Sequence, residues 1–123
     1  MIIKKLGHCC LLIKHNDITV LTDPGGFTTS QNDVTGIDVI LITHEHADHL
    51  HIGSLQTILQ NNPQAKIYTN SGVARLLQLE QIAYELLEEG QRVMVKEVEI
   101  SGHGTLHGEI YHTLPRVTNT GYM

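Results

Sequence analysis

The passage that most constrains this chain covers residues 37–49, where the apolar run Ile37-Asp38-Val39-Ile40-Leu41-Ile42-Thr43 leads without a break into His44-Glu45-His46-Ala47-Asp48-His49. A run of this length, rich in branched aliphatic residues, suits a strand covered on both faces. The polar cluster that follows is therefore delivered to the end of a buried strand. His44 and His46, two apart on extended chain, project to the same side, while Asp48 and His49 lie where the chain turns toward a helix. Four metal-ligating side chains thus converge within six residues. Neutral imidazole and carboxylate are ligand types that zinc accepts, and a centre that leaves one position to water is catalytic rather than structural. Glu45 sits between histidines two apart, unlike the H-E-x-x-H helix pattern, and on extended chain it points away from them. Three histidines crowded this closely would repel one another when protonated and gain little without a metal.

Around this passage the sequence predicts alternating strands and helices. Residues 2–6, 9–14 and 18–22 read as three short strands, turned at Gly7-His8 and at His15-Asn16-Asp17 into a meander. Asp23-Pro24-Gly25-Gly26 marks a loop. Leu55, Ile58 and Leu59 recur at helical spacing, which predicts a helix over about residues 53–60, stopped by Asn61-Asn62-Pro63. Residues 66–69 read as a strand, and Ser71 as the N-cap of a helix with Val73, Leu76 and Leu77 on one face. Residues 92–100 alternate in strand fashion before Gly102, Gly104 and Gly108 break the pattern. With no repeat, low-complexity tract or linker, residues 1–123 are expected to form one domain.

Composition narrows the function. Apolar residues make up 41% of the chain but aromatic ones only 4%, so the core must be built from Ile, Leu and Val, which suit sheet. Thirteen acidic residues against eight basic ones, with no Lys/Arg cluster, argue against nucleic acid as a passive ligand. A phosphodiester substrate stays open, because a bound divalent ion would supply the missing positive field. Residues 1–7 lack a signal-peptide core and no run approaches the ~20 apolar residues of a membrane span, which leads us to expect a cytoplasmic protein with no membrane partner. Cys9 and Cys10 are adjacent, point to opposite faces of a strand, and are expected as free thiols.

The segment Thr43-His44-Glu45-His46-Ala47-Asp48-His49-Leu50 resembles the H-x-H-x-D-H signature of the metallo-β-lactamase superfamily. Leu6-Gly7-His8-Cys9 and Leu21-Thr22-Asp23-Pro24-Gly25 resemble that family's opening strands and Asp-containing turn. Leu106-His107-Gly108 and Leu114-Pro115-Arg116-Val117-Thr118-Asn119-Thr120-Gly121-Tyr122 are similar to small cytoplasmic metal-dependent hydrolases related to the ascorbate-6-phosphate lactonase group. The resemblance implies an α/β (α+β) fold, the first half of an αββα sandwich with a mixed sheet and outer helices, truncated on its C-terminal side. It implies one or two zinc ions. His44, His46 and a third histidine would hold one, and Asp48 and His49 would begin a second site. The third histidine would be His107 or His103; His107 is preferred because it precedes the Pro-Arg-Val-x-Asn-x-Gly-Tyr stretch as the family's ligand does, and ligand geometry decides between them. The bridging aspartate and last histidine of the family have no counterpart, so occupancy nearer one ion than two is expected.

The implied function is zinc-dependent hydrolysis of a small molecule, with metal-activated water attacking an ester, lactone or phosphodiester and Asp48 orienting that water or taking its proton. The alternative is a metal-binding half-domain with little activity alone, completed by a C-terminal half or by a second copy in a homo-oligomer. Asp23 serves either to orient a ligating histidine or as an ordinary turn residue. His8 resembles a family position near the floor of the site but is given a structural rather than a functional role, and His15, His51 and His112 are left as surface or local hydrogen-bonding groups.

Overall fold

A computed structural model describes residues 1–123. The first three strands, β1 (Ile2–Gly7), β2 (Cys10–His15) and β3 (Ile18–Thr22), form the expected antiparallel meander. The chain then continues β4 (Val39–Leu41), α1 (Ile52–Asn61), β5 (Lys66–Thr69), α2 (Ser71–Leu79) and β6 (Glu85–Leu86), with β3 to β6 paired in parallel. The result is a mixed six-stranded sheet in the order β1-β2-β3-β4-β5-β6. A second, antiparallel sheet is built from β7 (Arg92–Val95), β8 (Val98–His103) and β9 (Gly121–Tyr122). This is a mixed α/β architecture with two helices.

The alternation of side chains along each strand assigns the two faces of the larger sheet. Leu21, Ile40 and Ile67 point to one face, where they pack with Leu55 and Ile58 of α1 and with Val73 and Leu77 of α2. Val20, Val39, Leu41 and Tyr68 point to the other, where Ile100 and the partly buried Val93, Val95 and Val98 of the second sheet cover them. A strand whose every residue is apolar is required for this, because both its faces are buried. Val39, Ile40 and Leu41 meet that need.

Sequence and structure differ at several places. The ladder of the apolar run spans only Val39–Leu41, although Asp38 N–H donates to the Thr19 carbonyl and Ile42 N–H to the Tyr68 carbonyl beside it. The cap of α2 is Asn70, not Ser71: its Oδ1 accepts from Val73 N–H at 3.1 Å, while its amide Nδ2–H donates to the Thr43 carbonyl at 2.8 Å. Serine lacks the amide that makes the second bond, so Asn70 ties the helix start to the histidine segment. Residues 92–100 are a hairpin rather than one strand. Lys96 and Glu97 adopt φ of 46° and 66°, the left-handed pair of a two-residue turn, and Lys-Glu lacks the Asn-Gly or Asp-Gly pattern that announces one. The two-residue strand β6 carries no pattern long enough to be read.

No helix is long and apolar enough to cross a membrane.

Candidate metal centre

Parallel strands β3 and β4 end side by side, and the segments that leave their carboxyl ends build the site, as expected for ligand sites in open α/β sheets. After β3 the chain runs through Asp23-Pro24-Gly25-Gly26, and after β4 through residues 43–51. The two segments are bonded to each other, with Gly26 N–H donating to the Ala47 carbonyl at 2.8 Å and His51 N–H to the Pro24 carbonyl at 3.1 Å. A β-carbon on Gly25 would lie 1.9 Å from the Asp48 carbonyl oxygen, so only glycine permits this contact.

The structure brings His44, His46 and His107 together, with one ligand atom from each within 4.8 Å of the others. Their ring centroids are 4.7 Å apart for His44 and His46, 4.7 Å for His44 and His107, and 4.9 Å for His46 and His107. A second group gathers His44, Asp48 and His49. His103 joins neither: it ends β8, exposed, with Nε2 2.9 Å from Ser101 Oγ. His107 is carried back over the site by the loop beyond β8, where Leu106 pairs with Thr118 and His107 N–H donates to the Val117 carbonyl.

The hydrogen bonds around these rings decide which nitrogen each leaves free. Asp23 is buried and organises them. Its Oδ1 accepts from Thr43 N–H at 2.8 Å and its Oδ2 from the Thr43 hydroxyl at 3.0 Å. With its one proton committed to Asp23, Thr43 Oγ1 accepts from His44 Nδ1–H at 2.9 Å. His49 Nδ1–H donates to Asp23 Oδ2 at 2.9 Å. His107 Nδ1–H donates to the Gly108 carbonyl at 2.8 Å, since a carbonyl only accepts. In the neutral form of each of the three rings Nε2 is then left as the lone-pair donor, the tautomer a metal requires.

The fit to a metal rests on His44. Its Nε2 is buried and has no hydrogen-bond partner, which costs about 1–3 kcal/mol unless something electrophilic meets it. Burial, followed by the neighbouring His49, His46 and His107, pushes the ring down to about 4 against the raising pull of Asp23, so it is neutral at physiological pH. A hydrogen bond to Asp23 raises His49, opposed by burial. For Asp48, burial favours the neutral acid, but the bond from His8 and the charge of His49 outweigh it and keep the carboxyl below its ordinary value.

Asp23 therefore takes the orienting position rather than acting only in a turn. Two further residues lie at the site that the sequence did not assign to it. His8, given a structural role above, is exposed and has Nε2 2.9 Å from Asp48 Oδ2, and Cys9 Sγ lies 3.2 Å from His49 Nε2. Their signal was their place in the first turn, which means nothing until β1 and β2 are seen to end beside the cluster. Cys10, by contrast, is buried in the core, and both cysteines are free. His51 is the N-cap of α1, accepting from Ser54 N–H at 3.1 Å.

Residues 2–123 match the family model described as "Beta-lactamase superfamily domain". Protein Rv0786c of Mycobacterium tuberculosis is 32% identical over 117 residues, which are 95% of this chain and 54% of that protein. A UPF0173 metal-dependent hydrolase of Aeropyrum pernix is 36% identical over 84 residues, covering 65% of this chain and 34% of its own. A crystal structure of a provisionally named metal-dependent hydrolase from Parabacteroides distasonis superposes with a TM-score of 0.76 at 23% identity, over 98% of this chain and 53% of its own. The chain thus spans about half the length of Rv0786c and of the Parabacteroides distasonis protein.

Proposed function

This chain belongs to the β-lactamase superfamily, and on that premise we propose that it is the metal-binding part of a zinc-dependent hydrolase, with His44, His46 and His107 holding one ion and Asp48 and His49 beginning a second site. One observation carries the reading: the buried, unpartnered Nε2 of His44, in a ring fixed by Thr43 and Asp23 beside two further histidines. A metal held by these residues would lower the pKa of water from ~15.7 toward ~7 and would so supply a nucleophile for an ester, lactone or phosphodiester.

The chain's own residues do the rest. Asp23 holds the tautomers of His44 and His49 through direct and Thr43-mediated hydrogen bonds. Asp48, ionised and partly open to solvent, is the group to orient an attacking water or accept its proton. Zinc is favoured over magnesium because the donor set is dominated by imidazole nitrogen. The substrate we propose is a small molecule, and the resemblance of residues 114–122 to the ascorbate-6-phosphate lactonase-like branch supports a small anionic or sugar-derived one. A net charge of −5 without a basic cluster speaks against nucleic acid, and two free thiols suit a reducing compartment such as the cytoplasm. The second reading, a metal-binding half with little turnover alone, is favoured by the chain's spanning only about half of its relatives' length.

The test is a zinc competition titration on the chain and two variants, preceded by elemental analysis after dialysis. His46→Ala is expected to weaken zinc binding by far more than His51→Ala, which removes only a helix cap and costs about 1 kcal/mol of stability. Equal losses, or no zinc retained by the unaltered chain, would overturn the assignment.

A further inference from the structure

We propose that Asn70 is a positioning residue for the metal centre: its buried side-chain amide joins the peptide before His44 to Thr120, which leads from the His107 segment into β9, and so sets how those two histidines stand to each other. This role deepens the proposed function and rests on its reading that His44, His46 and His107 hold one ion. His44 and His107 come from distant parts of the chain, and His107 lies on an irregular segment between β8 and β9. A loop places a ligand less well than a helix or strand does, so a segment of this kind needs anchoring bonds to hold its histidine.

The bridge uses every polar atom of the side chain. Asn70 Nδ2 carries two hydrogens; one goes to the Thr43 carbonyl at 2.8 Å and the other to Thr120 Oγ1 at 3.3 Å. Thr120 N–H donates to the same Thr43 carbonyl at 3.0 Å, which closes a ring of three residues. Asn70 and Thr120 are both buried, where a polar group left without a partner destabilises the fold. One residue earlier the pattern repeats: the Ile42 carbonyl accepts from the Thr69 hydroxyl and from the Tyr122 hydroxyl, each at 2.9 Å. The ladder of β4 ends at Leu41, and beyond it Thr69 and Asn70 from the end of β5, with Thr120 and Tyr122 from β9, hold the backbone that presents His44.

From Thr120 the anchoring runs on to His107. Asn119 N–H donates to the Thr105 carbonyl at 3.2 Å, Leu106 pairs with Thr118, and His107 N–H donates to the Val117 carbonyl at 2.9 Å, so the two limbs of the segment are tied together. The start of α2 closes on them as well, since a β-carbon on Gly72 would lie 3.2 Å from Thr118 Cβ. Helix capping does not account for the amide of Asn70. The cap is made by Oδ1, which accepts from Val73 N–H, and a serine hydroxyl would make the same bond. Rings already placed before an ion arrives need no ordering when it binds, and affinity rises accordingly.

Zinc competition titration of the unaltered 123-residue chain, Asn70→Ser, Thr120→Val, Val73→Ala, His107→Ala and the Asn70→Ser/His107→Ala double variant tests this, with a thermal midpoint measured for each. Asn70→Ser keeps a cap but loses the amide, and should weaken zinc binding roughly tenfold or more. Val73→Ala trims the buried face of the same helix and should lower the midpoint while leaving zinc affinity unchanged. In the His107→Ala background Asn70→Ser should weaken binding little further, because a bridge that acts by placing His107 then has nothing to place. Thr120→Val loses one hydroxyl and should weaken zinc about fivefold. Unchanged affinity in Asn70→Ser, an equal loss in Val73→Ala, or additive losses in the double variant would overturn the positioning role and leave the histidine trio standing. If Asn70→Ser does not fold, unchanged affinity in Thr120→Val would overturn it. Zinc held as tightly by His107→Ala as by the unaltered chain, or by neither, would overturn the trio and this role with it.

Discussion

Asp23 is the residue through which most of the site is held. Its two oxygens take three hydrogen bonds, from Thr43 N–H, the Thr43 hydroxyl and His49 Nδ1–H, and through Thr43 it also fixes His44. Asp23→Asn keeps the shape but replaces one acceptor oxygen with an amide donor. Either the bond to His49 or that to Thr43 is then lost, and the freed ring no longer holds one tautomer. We expect zinc affinity to fall about 10–100-fold while the thermal midpoint moves by only a few degrees. Competition titration paired with thermal unfolding checks this; unchanged affinity would mean that the rings are oriented by packing alone.

Among the elements, the hairpin of β7 and β8 is joined to the larger sheet at its turn by Lys96. Its ammonium donates to Asp38 Oδ1 at 2.6 Å and to the Asp17 carbonyl at 3.0 Å. Burial alone would favour the neutral acid at Asp38, but the bonds from Lys96 and Thr19 N–H outweigh it and hold the carboxyl below its ordinary value. A carboxyl depressed in the folded state stabilises above its unfolded pKa, ~3.9, and loses that contribution as pH falls through the lower folded value. Lys96→Met should therefore cost about 1 kcal/mol at neutral pH, a modest figure because the ammonium is half exposed. The gap between the two proteins should close as pH drops below ~4. Urea unfolding at several pH values measures it, and a gap independent of pH would assign the loss to packing of the lysine stem.

For the molecule as a whole, the larger sheet is covered by helices on one face and by a three-stranded sheet on the other, while the histidine and aspartate cluster lies beyond the end of β4. Leu106, Ile110, Tyr111 and Leu114 are all exposed in the segment that carries His107. His8 and Asp48 are partly exposed, and water around them screens the charges that stabilise a developing oxyanion. We expect the 123-residue chain to hydrolyse generic lactones or phosphodiesters slowly, and a chain extended to the length of its relatives to do so faster. Both would be assayed with zinc supplied and with Asp48→Ala as the blank. Equal metal-dependent rates would remove the half-domain reading.

Much of this arrangement is legible along the chain, because it depends on neighbours. The largely apolar run from Ile37 requires a strand buried on both faces, the spacing of Leu55 and Ile58 requires a helix, and the order of His44, His46, Asp48 and His49 places four side chains able to hold a metal beyond the end of one strand. The hairpin at Lys96 and Glu97 was hidden because its turn uses residues without a turn signature. Tertiary structure alone decided which groups from elsewhere meet the cluster. It turned His103 toward Ser101 and brought His107 to the trio, set Asp23 under His49, and delivered His8 and Cys9 from the first turn. Such meetings depend on strand register and on how loops close over a packed core. Periodicity specifies the face on which a side chain emerges, whereas only packing fixes which distant side chain waits there.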